Sequence, residues 1–132
     1  MLLSENKIKH CKGVAEYMYN NAEKYGLDKE EMYLLGLVHD IGYLFAREKH
    51  GMNGSELLKS MGYKYYQEVK YHGRWTDDYD SAALNLLRKA DLSIDYLGEY
   101  INPLIRMDDV KRRYGEDSFQ FKNVKKIVNS LY

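Results

Sequence analysis

His39 and Asp40 stand side by side at the end of an apolar run, Leu34-Leu35-Gly36-Leu37-Val38-His39-Asp40-Ile41-Gly42-Tyr43. Unpaired imidazole and carboxylate groups are costly to bury, so the pair needs a strong common partner, and a metal ion is the simplest one. Neighbours on a helix diverge by roughly 100°, so two adjacent residues cannot enclose a cation by themselves. The other ligands have to come from elsewhere in the chain. Its four histidines, His10, His39, His50 and His72, each fall at a helix end or on a helix face, and Asp91 interrupts an otherwise apolar helical stripe. Imidazole and carboxylate donors suit iron, manganese, zinc, nickel or cobalt better than magnesium, which prefers oxygen and water. One transition-metal ion held by His10, His39, Asp40 and Asp91 would keep positions open for water and substrate. A second ion could take His50 and His72 with Asp40 as a bridge. Two ions roughly 3.5–4 Å apart can hold a hydroxide and stabilise both the attacking and the leaving oxygen of phosphoryl displacement.

The elements that must position these groups read as helices. From Ser4 to Tyr25, Ile8, Cys11, Ala15, Met18, Ala22 and Tyr25 recur at three- and four-residue steps, and Gly26 closes the helix. His10 lies beside that stripe, in register with Val14 and Tyr17. Asp28 and Glu31 form a capping box for a second helix that ends near Gly42, and Tyr43 to Gly51 reads as a loop. Asn53 and Glu56 repeat the cap for a short helix through Met61. Lys64 to His72 is a weaker helix, closed by Gly73. Asp80 or Ser81 caps a long one that carries Leu84, Leu87, Asp91, Ile94 and Gly98 along a single stripe. Pro103 opens the next, to about Arg113. Asp117 or Ser118 caps the last, whose buried side is Phe121, Val124, Ile127, Val128 and Leu131. With no convincing strand, the expected class is all-α, a bundle of about six or seven helices packed pairwise.

At 132 residues and 45% hydrophobic side chains, the chain suits one domain over 1–132 with a real core. Lysine plus arginine and aspartate plus glutamate number 20 each, which argues against a polymeric nucleic acid as partner. No apolar run approaches a membrane span or a secretion signal. The single cysteine, Cys11, excludes an internal disulfide and fits a reducing, cytoplasmic setting, and one step from His10 it reads as a small buried apolar residue. A homodimer is compatible with the sequence, which fixes no oligomeric state.

The order His10, His39-Asp40, His50, His72, Asp91, with the string His39-Asp40-Ile41-Gly42, resembles the HD superfamily of metal-dependent phosphohydrolases from about Ile8 to Gly98. The resemblance implies an HD-domain-like helical bundle. It also implies that His10, His39, Asp40 and Asp91 bind a first metal, with His39 and Asp40 at the catalytic centre, and that His50 and His72 match the extra histidines of members with two metals. The spacing is similar to the YqeK-like hydrolases that cleave diadenosine tetraphosphate symmetrically with iron. Those proteins usually have a lysine where this chain has Tyr43, and a basic residue shortly after the aspartate where it has Ser93, Ile94 and Asp95. Arg47, Lys49, Arg74 and Arg88 could restore positive charge from the rim, since guanidinium pairs with phosphate bidentately, and Arg74 is the best placed. Tyr43, Tyr71 and Trp75 flank the same site and could stack on a base or sugar.

The resulting expectation is a hydrolase of a small phosphorylated molecule, such as a nucleotide or dinucleoside polyphosphate, with two ions, iron foremost. A di-iron oxygenase could use the same six ligands. A metal-binding regulatory domain without catalysis is the third reading.

Overall fold

The computed structural model describes the backbone of residues 4–44 and 50–132 and the side chains of residues 4–42 and 53–132. Its helices are α1 (Glu5–Asn21), α2 (Lys29–Val38), α3 (His50–Ser60), α4 (Tyr66–Tyr71), α5 (Ala82–Ser93), α6 (Pro103–Tyr114) and α7 (Phe119–Leu131), with 3₁₀ turns over Ala22–Tyr25 and Ile41–Leu44. Among the described residues the β structure is one isolated bridge between Ile94 and Tyr100. The class is all-α, as the sequence predicts.

Most helix starts follow from side-chain caps, in which a side-chain oxygen accepts one of the backbone N–H groups that the first turn leaves without a partner. Ser4 accepts from Lys7, Asp28 from Glu31, Ser81 from Leu84, Asn102 from Leu104 and Ser118 from Phe121. The main core joins α1, α2 and α5 through Val14, Met18, Met32, Leu35, Leu86, Leu87 and Ala90, with Leu58 and Val69 added from α3 and α4. A smaller cluster of Phe121, Val124 and Val128 seats α7 against Leu92, Met107 and Val110. Lys122, Lys125 and Lys126 face solvent, as a solvated helix face should.

Three helix boundaries differ from the sequence reading, and each difference bears on the site. First, α2 stops at Val38 rather than near Gly42, so His39 and Asp40 fall in the turn after it. There they are released from the divergence that a continuing helix would impose. Second, α5 stops at Ser93 rather than near Gly98. The Asp95 carboxylate accepts the backbone N–H groups of Leu97 and Glu99, and such local bonds compete with helix. Ile94 is extended, and the chain folds back so that the Ile101 N–H reaches the Ser93 carbonyl. Third, α3 begins at His50, with Asn53 inside it rather than at its cap. α3 rests on the chain after Asp40 at Gly54, where a Cβ would lie 3.0 Å from Gly42 N and from Ile41 Cγ2. Ile8, expected on the buried stripe of α1, is 46% exposed, because the buried face is rotated toward His10 and Val14.

α1 and α2 form an antiparallel pair in which Ala15 meets Gly36 and His10 meets His39. A Cβ at Gly36 would stand 2.5 Å from Ala15 Cα and 2.7 Å from Ala15 N. The two backbones touch there because position 36 carries no side chain. Gly36→Ala should therefore lower the unfolding free energy by about 1–3 kcal/mol, the usual cost of overpacking, read as a lower urea midpoint at unchanged m-value. An unchanged midpoint would show that the helices can separate without loss.

Candidate metal centre

Three histidines each place Nδ1 on a backbone carbonyl, two of them by the same local device. His39 follows α2 and His72 follows α4, and each Nδ1–H donates to the carbonyl three residues back, His39 to Gly36 and His72 to Val69, both at 2.6 Å. Carbonyls in the last turn of a helix lack partners in the helix itself, so a histidine placed there closes one with its own ring. His10, inside α1, donates Nδ1–H instead to the Asp95 carbonyl at 3.1 Å, which the early end of α5 brings within reach. A carbonyl can only accept, so each Nδ1 carries a proton and each Nε2 faces inward, where it can take either a second proton, as His10 does toward Asp91, or a metal ion.

The inward nitrogens meet two carboxylates. His10 Nε2 lies 2.7 Å from Asp91 Oδ1, and His39 Nε2 lies 3.3 Å from both Asp40 Oδ2 and Asp91 Oδ1. On the other side of Asp40, His72 Nε2 lies 3.3 Å from Oδ1. The Asp40 carboxylate thus faces His10 and His39 with one oxygen and His72 with the other. Ligand atoms of His10, His39, Asp40 and Asp91 all fall within 4.8 Å of one another. Atoms about 2.0–2.2 Å from a shared ion stand roughly 3–4 Å apart, so a small contraction would close this set on one.

His39 Nε2 supplies a direct test of that fit. The ring is fully buried, and Nε2 makes no hydrogen bond among the described residues although it points between two carboxylate oxygens. Such a buried polar atom is costly to leave unsatisfied. A cation between it and the carboxylates removes that cost, and the two-nitrogen, two-carboxylate donor set suits a divalent transition metal.

The charges agree. Burial opposes a positive His39, but Asp40 and Asp91 outweigh it and hold the imidazolium well above its ordinary range. Burial would likewise raise both carboxyls; His39 and His72 hold Asp40 well below its ordinary value, and His10 and His39 do the same for Asp91. Without a metal, the cluster attracts a proton to where a cation would sit.

Several supporting residues carry no sequence motif. Arg106 of α6 donates to the carbonyls of Asp91 at 2.9 Å and Ile94 at 2.6 Å, holding the end of α5 beside the His10 partner Asp95. Arg88, expected at a phosphate-facing rim, is buried instead and donates to the carbonyls of Tyr71 and Arg74 on either side of His72. Those carbonyls hold the guanidinium inward against the cost of burying its charge. Asn123 of α7 closes the same loop, accepting from Trp75 N–H and donating to the Gly73 carbonyl. Glu68, buried on α4, accepts from Tyr79 and from Ser81, the cap of α5. Lys7, one turn before His10, places Nζ 3.0 Å from Asp40 Oδ2. Its spacing of three from His10 on one helix was the available signal.

Of the six ligands expected from the sequence, the fold brings His10, His39, Asp40, Asp91 and His72 together. The side chain of His50 lies outside the described residues, as do those of the expected substrate-binding residues Tyr43 and Arg47. Arg74 is exposed, with its guanidinium 5.2 Å from the Phe119 ring. Trp75 is half-buried, and Arg88 lies over its ring. Tyr71 stacks on Tyr79. Cys11 is buried and burial pushes its thiol up, which fits packing rather than nucleophilic work.

Comparison with known proteins adds the family. The family described as HD domain matches residues 8–120. An uncharacterized protein of Methanocaldococcus jannaschii is 40% identical over 68 residues, covering 47% of this chain and 40% of that protein. The chain therefore spans well under half the length of that relative. No solved structure matches. No described helix is long and apolar enough to cross a membrane.

The cluster predicts a pH profile. A raised His39 pKa contributes stability that is complete below about pH 6.5 and is lost as pH rises through the raised value. Lowered Asp40 and Asp91 values contribute stability that is complete above about pH 3.9 and is lost as pH falls through them. In EDTA the melting temperature should peak between these ranges and decline on the alkaline side. Manganese, which competes with the proton at Nε2, should remove the alkaline decline and bind more weakly as pH falls. Identical alkaline limbs with and without metal would count against the site.

Proposed function

The chain belongs to the HD domain family, and we propose that it is a metal-dependent phosphohydrolase of a small phosphorylated molecule, a nucleotide or dinucleoside polyphosphate by preference. The observation that supports this most is the orphaned His39 Nε2, directed between the Asp40 and Asp91 carboxylates with His10 alongside. In this proposal His10, His39, Asp40 and Asp91 hold one ion. His72, with the opposite Asp40 oxygen and His50, holds a second, and one domain over 1–132 carries both. Iron is the proposed metal, with manganese, zinc, nickel or cobalt as substitutes. When bound, such ions supply Lewis acidity toward a phosphoryl oxygen and make water acidic enough to attack phosphorus at neutral pH.

The residues of the chain do the remaining work. The backbone carbonyls of Gly36, Val69 and Asp95 hold the rings against rotation, so the nitrogens stay aimed at one point. Arg106 and Arg88 keep the segments that carry those rings from drifting. Burial of His39 and Asp40 keeps bulk water from competing at the inner face. Arg74 and Trp75 on the loop after His72, with Tyr43 and Arg47, are proposed to meet the substrate at the rim. The narrower proposal, from the spacing of the six ligands, is symmetrical cleavage of diadenosine tetraphosphate.

Anaerobic purification with elemental analysis should find about two transition-metal ions per chain. A phosphate-release screen over nucleotides and dinucleoside polyphosphates, with iron or manganese added, should then give activity. His39→Ala should abolish both metal and activity, whereas His72→Ala should lose about one ion and keep the other. Oxygen consumption without phosphate release would replace the hydrolase by a di-iron oxygenase. A chain without stoichiometric metal, in which His39→Ala alters stability alone, would be a non-catalytic binding domain.

A further inference from the structure

We propose that the Lys7 ammonium is the anion-holding group of this centre, gripping a phosphoryl oxygen of the substrate between itself and the metal on Asp40. The proposal rests on the hydrolase reading and adds the group that recognises the substrate's charge. Lys7 lies three residues before His10 on α1, so the two side chains share one helix face. Its Nζ reaches Asp40 Oδ2 at 3.0 Å, the same oxygen that lies 3.3 Å from His39 Nε2 and 3.9 Å from His10 Nε2. Its side chain is nevertheless 29% exposed. Lys7 therefore runs from solvent to the inner face of the cluster.

Charge selects the ligand. The Asp40 and Asp91 carboxylates offset much of the charge of the ion they hold, so a phosphate dianion arriving beside that ion gains from a further cation. Lys7 stands where it can supply one. A divalent cation and an ammonium directed at one carboxylate oxygen also repel each other, and an anionic oxygen between them turns that repulsion into two attractions. The lysine stem suits the exchange, because its flexible chain and rotatable ammonium can pass from Asp40 to a neighbouring anion without backbone movement. The nearby arginines are committed differently: Arg88 and Arg106 donate to backbone carbonyls, and Arg74 lies over Phe119.

The test titrates inorganic phosphate calorimetrically into the manganese-loaded full chain, with metal content measured alongside. Lys7→Met should keep the wild-type metal content and bind phosphate about tenfold or more weakly, the loss expected for one charge-assisted hydrogen bond. Lys7→Arg, which keeps the charge, should stay within about threefold of wild type. The proposal is overturned if Lys7→Met binds phosphate as well as wild type, if it loses the metal, or if wild type binds no phosphate. Lys7-dependent phosphate binding without hydrolysis of any phosphorylated compound would sink the hydrolase reading and leave the anion site standing. Hydrolysis with phosphate affinity and KM unchanged in Lys7→Met would do the reverse.

Discussion

The Asp40 carboxylate is the group on which the rest of the arrangement depends. It is only 3% exposed, and a buried carboxylate is tolerated only when it is surrounded by hydrogen-bond donors or cations. Oδ2 faces Lys7, His10 and His39, and Oδ1 faces His72, so one functional group ties α1, the end of α2 and the end of α4. Asp91 adds α5 through His10 and His39. Removing the negative charge at position 40 would take an anionic partner from Lys7, His10, His39 and His72 at once, which is a larger disturbance than the loss of any one contact.

Helix ends, rather than helix faces, do most of the positioning. His39 and His72 each spend one ring nitrogen on a carbonyl that the end of their helix leaves open, and His10 takes a carbonyl exposed by the break in α5. Arg88 and Arg106 work at helix ends too, their guanidinium groups collecting carbonyls around His72 and Asp91. α7 reaches the centre through Asn123, which clamps the loop after His72 from both sides. A helix whose apolar face is buried against α6 thereby helps to fix the loop that follows the His72 ring.

Much of this was legible in the residues themselves. Caps are local, so Ser4, Asp28, Ser81, Asn102 and Ser118 announce their helices within three positions. Histidines and aspartates in otherwise apolar surroundings mark a candidate cation site, and the fold brings five of the six residues singled out for it together. The helix stops were harder to read. Val38 and Ser93 end their helices without a glycine or proline beside them, and the stop after Ser93 depends on Asp95 bonding to its own following backbone.

What the sequence determined by itself was therefore the all-α class, most of the helix starts and the donor types gathered at the centre, because periodicity, caps and donor type act within a few residues. Only the tertiary structure decided that Arg88 faces inward, that Lys7 reaches Asp40, and that the two Asp40 oxygens face different histidines. Those outcomes come from pairings 33 and 81 positions apart, as for Lys7 with Asp40 and His10 with Asp91. No local pattern encodes such pairings. They are settled by which buried polar group finds a partner once the helices have met.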